Sequence, residues 1–380
     1  MLSRLLLLGL VATIATFCSL AAATVVVLVV VFFPVVVASR FALDDETLDD
    51  DLRRLESIVD LDAFAASRHD VDDVKRYYAA TTFRDYRLLA RFVGSDAMHT
   101  RLEKKGGNPP STPPRLRGHG GFEGGNPLPQ VHRVLTHVPF PPRLDEEPGR
   151  VLEIGFGKGV NTAFLASASP STRFFGLDVA PEHVEHAKKI TENASFFLGD
   201  ASNPPPEVRA NGPYDLVFGI ESMCYLDTEK KMDDFFAFAE THVKPGGRIV
   251  IVDGFRPDDF DDRDAYSSNA RRAMELAESG MRLRRMPSKR DWKTVSSRRG
   301  FVVVDEVDLT EEALPFWTRG WRVGRALLVF ARGLVARYRA SDPTRAETFA
   351  NLVSVCTTAH AMRTGTARYA ALVIERETIY

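Results

Sequence analysis

The stretch Val151-Leu152-Glu153-Ile154-Gly155-Phe156-Gly157-Lys158-Gly159 decides how the rest of this 380-residue chain is read. A run of strand length gives way to closely spaced glycines, and Val160-Asn161-Thr162 then opens a helix. Glycine accepts the positive φ of a tight turn and lets a ligand approach the backbone. The helix start offers unpaired N–H groups and the positive end of a dipole, which suit a polar or anionic ligand. Glu153 brings a carboxylate to the end of the strand. The dinucleotide fingerprint G-x-G-x-x-G wants a small residue at position 160, where this chain has Val160. The spacing here is instead E-x-G-x-G-x-G.

Further along, apolar runs recur with carboxylates at their ends. Thr172-Arg173-Phe174-Phe175-Gly176-Leu177-Asp178 reads as a second strand, and Pro181-Glu182 after it suits a first helical turn. An Asp at that strand end is placed to accept hydrogen bonds from both hydroxyls of a ribose. Ala194-Ser195-Phe196-Phe197-Leu198-Gly199-Asp200 is a third run. Tyr214-Asp215-Leu216-Val217-Phe218-Gly219-Ile220 is a fourth, leading into Glu221-Ser222-Met223-Cys224-Tyr225. Lys244-Pro245-Gly246-Gly247 then turns into a fifth strand ending at Asp253. A lone Asp after a strand is more often a helix cap than a ligand. The ordered series, separated by segments of helix length, points to an α/β fold with a parallel sheet.

In this order the segments resemble class I S-adenosylmethionine (SAM) methyltransferases. E-x-G-x-G-x-G is similar to that family's first motif, and Asp200 matches the carboxylate that reads the adenine amino group. Within the family, the run from Phe218 to Leu226, the Lys244-Pro245-Gly246-Gly247 turn and residues 299–310 resemble one branch. That branch contains sterol C-methyltransferases, tocopherol methyltransferases and cyclopropane-lipid synthases. Two positions depart from it. The His that follows Glu-Ser in sterol enzymes is Tyr225 here, and the family's His-x-Gly-Tyr-Trp segment appears only as Ala97-Met98-His99-Thr100-Arg101-Leu102. The resemblance implies a Rossmann-like, doubly wound, seven-stranded, mostly parallel sheet with helical cap insertions, and SAM as cofactor. It implies cofactor contacts from Glu153, Gly155, Gly157, Gly159, Asp178, Val179, Gly199, Asp200, Ala201 and Ile220. No metal is expected.

The sulfonium of SAM is a good leaving group, so catalysis in such an enzyme is largely positioning. Glu221, just past the fourth strand, is placed to stabilise positive charge developing on the acceptor or to take its proton. Methylation of an alkene carbon passes through a carbocation, and the faces of Tyr77, Tyr78 and Tyr225 suit one. Simple packing accounts for those tyrosines equally well. His99 is a candidate base where its segment folds over the site. The expected acceptor is small and hydrophobic, with methylation at carbon of a sterol, prenyl or other lipid-like molecule. N- or O-methylation of a small amine or phenol is the alternative within the branch. An inactive SAM-binding membrane protein is the alternative outside it.

The chain begins differently. No charged residue occurs in residues 5–38, and a bilayer-spanning helix needs about 20 apolar residues. Ser19-Leu20-Ala21-Ala22-Ala23 supplies a cleavage site for a signal peptide, but the Val-rich continuation speaks against cleavage there. A retained transmembrane helix is therefore expected. Arg4 on one side against Arg40, Arg53 and Arg54 on the other place the following domain in the cytosol. The organisation expected is a membrane anchor over residues 1–40, a second region over 41–130 and a methyltransferase domain over 131–380. The second region comprises an acidic, solvated spacer at 44–51, an aromatic helical segment at 71–93 and a Gly/Pro-rich loop at 106–130. Cap helices are expected near 258–285 and 311–363. Between 317 and 338 apolar residues alternate with arginines, which suits a cap helix over the substrate or a helix lying on a membrane surface. The three cysteines, one of them inside the apolar run, make no disulfide framework. A formal net charge of -2 provides no field for binding nucleic acid.

Overall fold

The computed structural model describes residues 41–67, 69–82, 99–102 and 149–378. The apolar run at 5–38, the Gly/Pro-rich loop and residues 83–93 of the aromatic segment lie outside the described residues. Among the described residues no helix is long and apolar enough to cross a membrane.

The strands are β1 (Arg150–Ile154), β2 (Arg173–Asp178), β3 (Ala194–Leu198), β4 (Tyr214–Ile220), β5 (Val243–Phe255), β6 (Phe301–Asp308) and β7 (Arg368–Arg376). They form one seven-stranded sheet in the order β3-β2-β1-β4-β5-β7-β6. β1 to β5 pair in parallel, and β7 runs antiparallel between β5 and β6. Successive strand residues point to opposite faces, so each face builds its own core. Phe174, Phe218, Val250 and Val252 belong to one, and their neighbours Phe175, Val217, Ile249 and Ile251 to the other. Burial on both faces is why these strands read as continuous apolar runs rather than alternating ones.

The helices between strands are α4 (Val160–Ala168), α5 (Pro181–Ile190), α6 (Pro206–Ala210), α7 (Glu229–His242), α8 (Ser268–Gly280) and α9 (Lys289–Ser297). Ahead of the sheet lie α1 (Asp45–Glu56), α2 (Leu61–Ala65) and α3 (Val71–Thr81). Between β6 and β7 come α10 (Thr310–Phe330), α11 (Arg332–Ala340) and α12 (Pro343–Thr364). The helical stretch expected over 311–363 is thus three helices. Ala331 leaves helical geometry at φ -130, and Asp342 caps α12 by accepting from the Thr344 N–H at 2.7 Å.

The acidic spacer requires correction. Asp44 is the N-cap of α1 in a reciprocal capping box with Thr47, so the helix begins inside the segment expected to be solvated. Leu48, Leu52 and Leu55 are buried against Ala273, Leu276, Leu328 and Phe349 of α8, α10 and α12. Asp51 is fully buried: it pairs with Arg325 and accepts from Trp321 Nε1 at 2.7 Å, and His360 Nε2 lies 3.3 Å away. Residues that read as a solvated linker are the wedge that ties the cap helices together.

Candidate functional site: a nucleoside crevice beside an apolar chamber

In this sheet β1 is flanked by β2 on one side and β4 on the other, and the winding reverses between β1 and β4. A crevice opens at the strand carboxyl ends there. Its floor is the turn after β1, where Gly155, Gly157 and Gly159 have φ of 66, 56 and 74. A Cβ on Gly155 would collide with the Ser222 Cβ, so this turn closes only without a side chain. Ser222 donates to the Ile154 carbonyl at 2.5 Å, joining the ends of β1 and β4.

Asp178, at the end of β2, braces the turn. One carboxylate oxygen accepts the Gly157 N–H at 2.9 Å. The other accepts the Ala180 N–H at 2.9 Å, with His183 Nδ1 at 3.1 Å. Asp200 stands at the end of β3, one oxygen accepting from the Ser202 N–H and hydroxyl, both at 2.8 Å. Val179, Gly199, Ala201 and Ile220 join these carboxylates on the crevice wall.

Two residues expected at the cofactor sit behind the wall. The Glu153 carboxylate is buried and bonded by the side chains of Asn161 and Thr162. Burial pushes its pKa up to about 7, so near neutrality it readily carries a proton. It fixes the first turn of α4 and does not reach the crevice surface. Gly159 packs on α5, where a Cβ would meet the Ala187 Cβ at 2.7 Å. Its absent side chain serves helix packing. His99 does line the crevice, and its Nε2 lies 3.3 Å from the Asn161 Oδ1, above Glu153.

A second, mainly apolar chamber shares Tyr78, Glu221 and Tyr225 with the crevice. Tyr77, Met281, Met286, Trp317 and Met362 contribute apolar surface to it. Tyr77, expected near the substrate beside Tyr78, is buried here and turned edge-on to it at 5.1 Å. The Tyr225 hydroxyl donates to the Met281 carbonyl at 2.8 Å and lies 3.0 Å from the Tyr78 hydroxyl.

Glu221 stands where the two spaces meet, in the left-handed region at φ 53. That conformation is strained for a residue with a side chain, and such strain concentrates at functional sites. Its Oε1 accepts the Thr100 N–H and the Tyr369 hydroxyl, each at 2.7 Å. Asp253, at the end of β5, is a second carboxylate in the chamber wall. It accepts the N–H groups of Cys224 and Gly254, and burial, reinforced by the Glu221 charge, pushes its pKa up to about 7. Asp253 and Tyr369 were not found by reading the sequence. Asp253 was legible there only as the end of a strand, and nothing around Tyr369 marks it.

Residues 151–247 match a family model described as a methyltransferase domain. Together with the strand order and the glycine turn, this decides the family. The domain is a class I SAM-dependent methyltransferase domain. Erythromycin 3''-O-methyltransferase of Saccharopolyspora erythraea is 29% identical over 113 residues, covering 28% of this chain and 35% of that protein. The chain thus spans about a third of the length of that curated relative. The cyclopropane synthase MmaA2 of Mycobacterium tuberculosis has the same fold, with a TM-score of 0.56 at 15% identity over 82% of this chain and 100% of that one. A geranyl diphosphate methyltransferase is similar, with a TM-score of 0.54 at 18% identity over 80% and 98%. The methyltransferase domain has the donor set its cofactor needs: an open glycine turn, a helix N-terminus and two wall carboxylates able to accept from hydroxyl and amino groups.

Proposed function

We propose that the protein transfers the methyl group of SAM to carbon of a small hydrophobic acceptor of sterol, prenyl or other lipid-like type. The observation that carries this reading is the apolar chamber meeting the nucleoside crevice at Glu221, Tyr78 and Tyr225. In this reading Gly155 and Gly157 face the methionine and ribose portions of SAM, while Asp178 and Asp200 take the nucleoside hydroxyls and amino group. SAM supplies an electrophilic methyl, and the chain aligns the acceptor carbon with it. Glu221 faces the positive charge that appears on the acceptor, and the Tyr369 hydroxyl and Thr100 N–H hold its carboxylate in place. The rings of Tyr78 and Tyr225 present electron-rich faces to the same charge.

The test is expression of the full chain in a host lacking it, followed by extraction and mass analysis of lipids. A lipid-soluble species heavier by one methyl, absent with an empty vector, is the expected result. Gain of a methyl on a water-soluble amine or phenol would instead select N- or O-transfer. Asp178→Ala should weaken SAM binding by about 1–3 kcal/mol, the cost of leaving buried donors unsatisfied. Titration calorimetry measures this, and unchanged affinity removes Asp178 from the cofactor site.

We further propose that the uncharged run at 5–38 holds the protein to a membrane with the methyltransferase domain on the cytosolic side. In the same cells the full chain should sediment with membranes and stay there in carbonate. Recovery as a soluble protein shortened at its N-terminus overturns the anchor.

A further inference from the structure

α10 and α11 carry large apolar side chains that the other described residues leave partly exposed, with the Arg345 guanidinium over one edge of the patch, 4.8 Å from the Tyr338 ring. Val323, Leu327 and Phe330 follow helical spacing on α10, and Leu334 and Tyr338 do so on α11 beyond the break at Ala331; they are 37%, 37%, 49%, 62% and 40% exposed. Large apolar residues scattered singly on a surface are ordinary, but a contiguous stripe marks an interaction site. The charge within this stretch of sequence is one-sided. Residues 313–341 contain no Asp or Glu and carry arginine at 319, 322, 325, 332, 337 and 339. Arg325 is spent internally on Asp50 and Asp51, while Arg332 and Arg337 are exposed beside the stripe. Exposed apolar side chains on two successive helices, flanked by arginines, fit the boundary of a bilayer with anionic headgroups.

The first described residue, shortly after the uncharged run in sequence, meets the same helix. The ring of Phe41 sits 4.5 Å from the guanidinium of Arg325, so the first described residue rests on α10. The uncharged run ends at residue 38.

We propose that the Val323–Leu327–Phe330–Leu334–Tyr338 stripe docks on an anionic lipid surface, its arginines meeting the headgroups. The docking is independent of whether the 5–38 run crosses the bilayer. Trp317, on the same helix, lines the apolar chamber, so docking brings that chamber to the phase that holds lipid-like molecules.

The test uses the full chain with Cys18→Ser, because Cys224 and Cys356 are buried and do not label. An environment-sensitive fluorophore is attached through Leu334→Cys, and in a control through Leu198→Cys on the opposite edge strand β3. Both proteins are reconstituted in nanodiscs of phosphatidylcholine alone or mixed with phosphatidylserine. The expected result is a blue shift at position 334 in the anionic discs, a much smaller one in neutral discs and none at 198. Arg332→Glu with Arg337→Glu should abolish the shift while SAM binding is retained. No response at 334 in anionic discs overturns the proposal. An equal response in neutral discs overturns the headgroup assignment. A fluorophore in anionic discs that is shielded from a water-soluble quencher but not reached by a lipid-borne one overturns it in favour of a protein occupant.

Discussion

Glu221→Gln should lower kcat by roughly 10²–10⁴-fold while leaving SAM affinity nearly intact, the range for loss of a charged group that acts at the reacting atoms. The substitution keeps the side-chain shape and an oxygen for the Thr100 N–H and Tyr369 hydroxyl, and removes the negative charge. A purely structural Glu221 is disfavoured by what surrounds it. The helix that follows, α7, is capped by Thr228, whose hydroxyl accepts the Lys231 N–H at 3.2 Å. Glu221 instead spends a left-handed backbone conformation to stand between the crevice and the chamber. Binding titration and single-turnover kinetics separate the possibilities. A parallel fall in SAM affinity would mean that the carboxylate holds the cofactor's amino group. Full activity in the variant would remove the residue from the mechanism. Tyr369→Phe offers a graded companion: it leaves the Glu221 charge but removes one of its two donors, and should slow turnover less than Glu221→Gln does.

Asp51→Ala should destabilise the fold by about 3 kcal/mol, the low end of the cost of breaking a buried ion pair, because Arg325 keeps its pairing with Asp50 at 2.9 Å. Arg325 is 4% exposed on its side chain and Asp51 1%, so the guanidinium left behind cannot turn to water without opening the contact between α1 and α10. Trp321 and His360 lose a hydrogen-bonding partner at the same time. Urea unfolding monitored by tryptophan fluorescence measures the loss. Replacing both charges with apolar residues, Asp51→Leu with Arg325→Met, should recover part of it, because the two buried charges leave together and Asp50 keeps Arg54 as its partner. Equal stability of Asp51→Ala and the unaltered chain would mean that α1 is not integral to the fold.

The sequence by itself determined the sheet and the crevice that runs along its carboxyl ends. Those features are local. A glycine turn with positive φ, an apolar run of strand length and an acid at its end are written in consecutive residues, and parallel winding allows few ways of assembling them. Gly155, Gly157, Asp178, Asp200 and Glu221 could therefore be placed without a structure. Only the tertiary structure decided what stands behind that wall and what closes the chamber. Glu153 and Gly159 carry the family motif but serve α4 and the packing of α5, a distinction that depends on which way a buried side chain faces. Tyr369 meets Glu221 across 148 positions of sequence, and Arg325 meets Asp51 across 274. Neither member of either pair carries a local mark of the other. Asp51 lies in a run of acids, and such a run reads as solvated until a cation arrives from a distant helix to take it out of water.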